Sequence, residues 1–247
     1  MFARALACLA LLAAAGCTTV PAPKPPPRLA APGVTPNFDV PDARARMVFL
    51  ARQEWGLFGR PVVREDEAVL EFPAGAPHAH EVQPAMLTRV LLYWYAVSAR
   101  PIVGAQGELR PWSAAFISWL VQGAGVPAAA FAPGVLHWDY IEHALSAPPD
   151  AHFSARDARV QAPAVGDLLC APRRAAFVAT IPDFASIRRG PWHCDLVVEL
   201  RAGALDVIGG NVLDVVALTR VPLDAAGRVV PSARRPWRVV LTPRLAP

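Results

Sequence analysis

Lysine is almost missing from this sequence: Lys24 is the only one in 247 residues. The net charge of +4 therefore rests on arginines, and these are scattered, so there is no concentrated basic stripe of the kind that grips nucleic acid. With no lysine beyond Lys24, a Ser-Lys dyad is excluded from the body of the chain. Also missing are a glycine-rich phosphate loop, a G-x-S-x-G elbow, a CxxC pair and an HExxH helix. Their absence argues against P-loop chemistry, the α/β-hydrolase arrangement, thioredoxin-like redox work and zincin catalysis. No internal repeat stands out, and no apolar run reaches the roughly 20 residues that span a bilayer as a helix. No cofactor and no metal are expected. The loop His78-Ala79-His80-Glu81 offers metal-ligating types, but a solvated loop is the better reading.

The N-terminus is more informative. Arg4 supplies a positive start, residues 5–15 are apolar without exception, and the small residues Ala14-Ala15-Gly16 lead into Cys17. So short an apolar segment fits the core of a signal peptide with a small-residue cleavage site. A cysteine directly after the small residues resembles the bacterial lipoprotein signal, with residues 1–16 removed and Cys17 lipidated. Where that signal usually has leucine, three places before the cysteine, this chain has Ala14. An ordinary signal peptide with an incidental cysteine is the alternative. Thr18, where an aspartate would retain the protein at the inner membrane, points to an outer-membrane anchor facing the periplasm. Residues 20–36 are dense in proline and lack apolar periodicity, which suits a stiff spacer; 17–37 is thus read as lipidated cysteine plus linker, and 38–247 as one domain.

Within that domain the periodicity changes. Helical spacing predicts helices from 41 to about 57, over 81–98 and over 113–123, with a shorter one at 137–145. A short strand-like run occupies 68–72. After about residue 160, alternating or short apolar runs predict strands at 167–171, 194–200, 204–208, 214–220 and 238–242, separated by turn residues. Helices first and an antiparallel meander second imply an α+β fold, the helical half packed on the sheet.

Two segments carry possible chemistry. Ser113 follows Pro111-Trp112 at the start of an apolar helix, and His193 starts a strand in Trp192-His193-Cys194-Asp195. A turn and a strand ending in Ile208-Gly209-Gly210-Asn211 follow. Without further context, a serine in such a place is usually an N-cap and a histidine at a strand start a hydrogen-bonded structural residue. Residues 137, 139 and 143, two histidines and an aspartate on one short helix, read as capping or packing groups.

The ordered set Trp112-Ser-Ala-Ala-Phe116, Gly166-Asp167-Leu168, His193-Cys-Asp-Leu-Val-Val198 and Ile208-Gly-Gly-Asn211 resembles the CHAP-type and NlpC-type papain-like amidohydrolases and peptidases of bacterial cell walls. It looks closest to lipoprotein-borne relatives known only as a domain of unknown function. Residues 81–220 carry the likeness. It departs at Ser113, where those enzymes have cysteine, and at Gly209, where a glutamate often stands.

The resemblance implies a papain-like core, with Ser113 as nucleophile, His193 as base and Asn211 orienting the histidine. Asp195 is a second orienting candidate, because it shares a strand face with His193 whereas Cys194 does not. The implied partners are the membrane, through the lipid, and peptidoglycan or another envelope polymer. Serine depends wholly on its base, so a non-catalytic descendant that binds in the old cleft stands beside the hydrolase. The resemblance also sets Cys170 and Cys194 on neighbouring strands, so either a disulfide or two buried thiols is implied.

Overall fold

A computed structural model describes residues 42–64, 68–98, 102–104 and 106–244. The expected signal peptide, Cys17 and the proline-rich segment lie outside the described residues. Helix α1 (Ala43–Leu57) starts at Asp42, whose carboxylate accepts the Ala45 N–H at 2.7 Å. Helix α2 (Pro84–Tyr95) opens on a proline, which costs no hydrogen bond at a first-turn position. Helix α3 (Ser113–Gly123) is apolar on almost every side, and eight of its residues from Ser113 to Val121 are buried. A single-turn helix α4 (Ala128–Phe131) precedes α5 (His137–Ser146), and another, α6 (Ala175–Val178), follows much later.

Eight strands form one sheet: β1 (Val62–Arg64), β2 (Val69–Glu71), β3 (Phe153–Asp157), β4 (Leu168–Pro172), β5 (Trp192–Arg201), β6 (Ala204–Val212), β7 (Val215–Pro222) and β8 (Val239–Pro243). Their order is β2-β1-β7-β6-β5-β4-β8-β3, and every pair is antiparallel except β1 with β7. The fold is α+β. Strands β4 to β7 make the meander that alternation predicts. The division into a helical half and a sheet half is less clean, because β1 and β2 come from the helical half and β3 precedes residue 160. Strands of three residues are too short to display a period of two, and β1 is held as a parallel neighbour of β7, with Leu218 N–H donating to Pro61 O at 3.0 Å.

Alternation along the strands separates two cores. On one face Cys170, Cys194, Leu196, Val198 and Ile208 pack with α1, α2 and α3. On the other, Leu169, Ala171, Val197, Val207 and Val240 are covered by the C-terminal segment, with Trp237 as its largest buried side chain. Between α1 and α2 the buried Glu54 accepts from Arg89 Nε at 2.9 Å and from the Tyr93 hydroxyl. Burial pushes the Tyr93 phenol far up, so it donates as a neutral group.

Candidate functional site

Strand parity decides which side chains can meet. Odd-numbered residues at the start of β5 face the second core and even-numbered ones face the helices. Gly209 and Gly210 confirm the assignment from the neighbouring strand: a Cβ on Gly209 would stand 1.8 Å from Asp195 Oδ1, and one on Gly210 would stand 2.6 Å from Phe116 Cβ of α3. His193 and Asp195 therefore start from the sheet face opposite α3, although at this strand end the His193 ring reaches the His137 ring, with centroids 5.1 Å apart. Ser113 lies on the helix side.

Ser113 occupies the first turn of α3, with Trp112 in the N-cap position. The Ser113 Oγ lies 2.7 Å from His137 Nε2. His137 is delivered by α5, whose lead-in loop is tied to α3 by Ser118: its hydroxyl accepts the Gly134 N–H at 3.1 Å and donates to Gly134 O at 3.2 Å. The other ring nitrogen of His137, Nδ1, accepts the backbone N–H of Cys194 at 3.2 Å and contacts the Tyr140 hydroxyl. A backbone N–H can only donate. Nδ1 is therefore unprotonated, Nε2 carries the hydrogen, and Ser113 Oγ is the acceptor. Burial first, then the neighbouring His193 and the positive side chains of Arg173 and Arg235, holds His137 well below its ordinary pKa, so the ring is neutral. The Tyr140 phenol is pushed well up by burial and by Asp195 and Asp139, and stays a donor.

The Cys194 amide is available to His137 for a geometric reason. Cys170 and Cys194 are directly paired across β4 and β5, with a Cα separation of 4.1 Å, and a disulfide joins them. Close pairing of this kind belongs to a pair that does not exchange backbone hydrogen bonds. The Cys194 N–H thus points away from β4 towards the β6 side, where β6 pairs with β5 only from Leu196 onward, and the imidazole fills the gap.

His193 has a different partner. Its Nε2 donates to Asp195 Oδ1 at 2.7 Å, while its Nδ1 is buried without a partner. Burial, opposed by Asp195 and reinforced by Arg235, lowers the His193 pKa to about 4. Asp195 stays ionised: burial works against it, but the His193 hydrogen bond, Arg235 and Arg173 hold it below the usual carboxylate value. Asn211, expected to orient the histidine, instead donates from Nδ2 to Glu81 at 3.1 Å, and the same Glu81 oxygen accepts the Trp112 indole N–H at 2.6 Å. Glu81 thereby ties the start of α3 to the end of β6.

The expected Ser113–His193–Asn211 set is thus divided in three: Ser113 with His137, His193 with Asp195, and Asn211 with Glu81. The departure at Gly209 is explained as well, since Asp195 fills the place a side chain there would take. His137, set aside as a packing group, is the contact that spacing did not single out; the only hint was the His137–Tyr140 step of three on one helix face. Of the possible metal loop, His78 stacks on Phe72 with ring centroids 4.3 Å apart, and His80 Nε2 lies 3.8 Å from Asp214. No three His, Cys, Asp or Glu side chains converge on a metal position among the described residues. A cavity of about 390 Å³ opens over Ser113, His137, Leu136, Trp192 and Arg173.

A family model described as an uncharacterized protein conserved in bacteria (DUF2272) matches residues 81–242. The chain belongs to this family. The DUF2272 match takes in Glu81, Ser113, His137, His193, Asp195 and Asn211, and every strand from β3 to β7. No curated protein and no solved structure matches the chain.

Proposed function

We propose that this DUF2272 protein is a lipid-anchored envelope domain with a papain-like core whose Ser113 cleft binds a peptide or glycan of the cell envelope without cleaving it. The resemblance of the ordered motifs supports the envelope ligand, and the Gly16-Cys17 junction supports the anchor. One observation carries the non-catalytic half: His137 Nδ1 is engaged by the Cys194 N–H, so the Nε2 facing Ser113 bears a hydrogen and has no lone pair to take a proton. A serine without a base is a very weak nucleophile. The alternative base, His193, packs its ring against that of His137 with centroids 5.1 Å apart, but its Nε2 is bonded to Asp195 and the ring nitrogen that meets Ser113 is that of His137.

The test uses the full-length protein as wild type, Ser113→Ala and Ser113→Cys, each incubated with peptidoglycan fragments. Products are followed by mass spectrometry and binding by calorimetry. Wild type is expected to bind fragments and release no product, and Ser113→Ala to bind within a few-fold of it. Hydrolysis by wild type that disappears in Ser113→Ala would overturn the reading. So would an absence of binding in all three proteins.

A further inference from the structure

A second cavity, of about 520 Å³, lies on the His193 side of the sheet, and its chemistry differs from that of the Ser113 cleft. Arg173 and Arg174 border it from the turn after β4, Arg234 and Arg235 from the segment before β8, and His193 and Asn211 from β5 and β6. Four guanidinium groups around one hollow repel one another, which is costly unless an anion is present. Among the described residues the one carboxylate paired with any of them is the buried Asp195, with Oδ2 4.0 Å from Arg235 Nε. Among the described residues the side chains of Arg173, Arg174 and Arg234 have no hydrogen bond or ion pair. The surrounding protein, and the like charges of Arg235 and Arg174, lower the Arg173 pKa from its usual value, with Asp195 acting in the opposite sense.

The floor is built as well as the rim. His193 is 1 % exposed and lines the cavity, and its Nδ1 has no partner. Because Nε2 donates to the ionised Asp195, Nδ1 of the neutral ring is a bare acceptor. Arg174 has φ of +66°, a left-handed conformation that a non-glycine residue pays for, and it holds the Arg173-Arg174 pair at the mouth. Donors at the rim and an acceptor at the floor match a carboxylate that has an N–H close by.

We infer that this cavity is a receptor for the carboxylate end of a peptide, with the arginines binding the carboxylate and His193 Nδ1 accepting the neighbouring amide N–H. Forked guanidinium groups suit a planar carboxylate, and such charged bonds are about twice as strong as neutral ones. Only Arg173 and Arg174 border the Ser113 cleft too, so the inference goes beyond the function proposed above and does not depend on Ser113.

The experiment measures binding to the full-length protein of three probes: N-acetyl-alanyl-alanine, the same dipeptide as its C-terminal amide, and inorganic phosphate. The free acid is expected to bind at least about tenfold more tightly than the amide. Its affinity is expected to fall about fivefold or more in Arg234→Gln and in Arg235→Gln, which border this cavity and not the Ser113 cleft, and to weaken as salt rises. Arg234 is exposed, so Arg234→Gln keeps the reading should Arg235→Gln lose its thermal transition. Equal affinity for acid and amide, or wild-type affinity in the arginine variants, would overturn the inference. Phosphate binding without dipeptide binding would overturn it also, by assigning the cavity to phosphate. No binding of any probe up to about 10 mM would do the same.

Discussion

At the scale of single residues, three buried ionisable groups set how stability responds to pH. His193, with its pKa lowered to about 4, and His137, held well below its ordinary value, bind fewer protons folded than unfolded. Their contribution is complete above the unfolded histidine value near 6.5 and is lost as pH falls towards 4. Asp167 works the other way. It is fully buried, its Oδ2 accepts the Ala164 N–H at 2.8 Å, its Oδ1 has no partner, and burial raises its pKa to about 6. A raised carboxylate is most favourable below its unfolded value near 3.8, and that advantage disappears as pH rises through 6. Asp167→Asn keeps the acceptor for Ala164 and removes the buried charge. Chemical denaturation at pH 7.5 is expected to show Asp167→Asn more stable than wild type by on the order of 2 kcal/mol, with the difference vanishing towards pH 4. The wild type is expected to lose stability between pH 6.5 and 4, since two histidines outweigh one aspartate. A flat profile, or a destabilised Asp167→Asn at pH 7.5, would contradict these assignments.

At the scale of elements, the β4–β5 pair is the structural centre. The disulfide closes a chain segment with a sequence separation of 24, and the chain-entropy model assigns it about 3.5 kcal/mol. Both cysteines are fully buried, so the bond is expected to resist dithiothreitol until the protein unfolds. The Cys170→Ala/Cys194→Ala protein is expected to lose about 2–4 kcal/mol in urea denaturation; reduction at the same rate as an exposed disulfide would show that the pair is not packed as described. Helices α1 and α2 depend on Glu54 in a similar way. Arg89→Ala leaves that carboxylate buried with Tyr93 as its remaining partner, and is expected to cost about 2–4 kcal/mol. Much of this was legible in the sequence. Helix α3 and strands β5 to β7 are long enough for their spacing to appear, and the Cys170–Cys194 pairing lay within reach of the resemblance. Strands β1 and β3 were not legible, because a three-residue strand shows no period and Phe153–Asp157 carries polar residues at alternate and adjacent places alike. The partner of Ser113 was not legible either. It depends on α5 docking against the bare end of β5, and no local pattern encodes that contact.

At the scale of the whole molecule, two chemistries adjoin at one end of the sheet: a neutral, hydrogen-bonded serine on the helix side and an arginine-rimmed hollow beside it, with Arg173 and Arg174 bordering both. No helix among the described residues is long and apolar enough to cross a membrane. Labelling cells with a clickable fatty acid is expected to mark wild type and not Cys17→Ser; equal labelling would remove the lipid anchor from the account. Whether the serine side hydrolyses or only binds turns on one proton. Nitrogen-15 NMR of the His137 ring at neutral pH is the most direct measurement of it. The account predicts a protonated Nε2 and a bare Nδ1 that accepts from the Cys194 amide. A bare Nε2 facing Ser113, with the hydrogen on Nδ1, would give the serine its base and contradict the account.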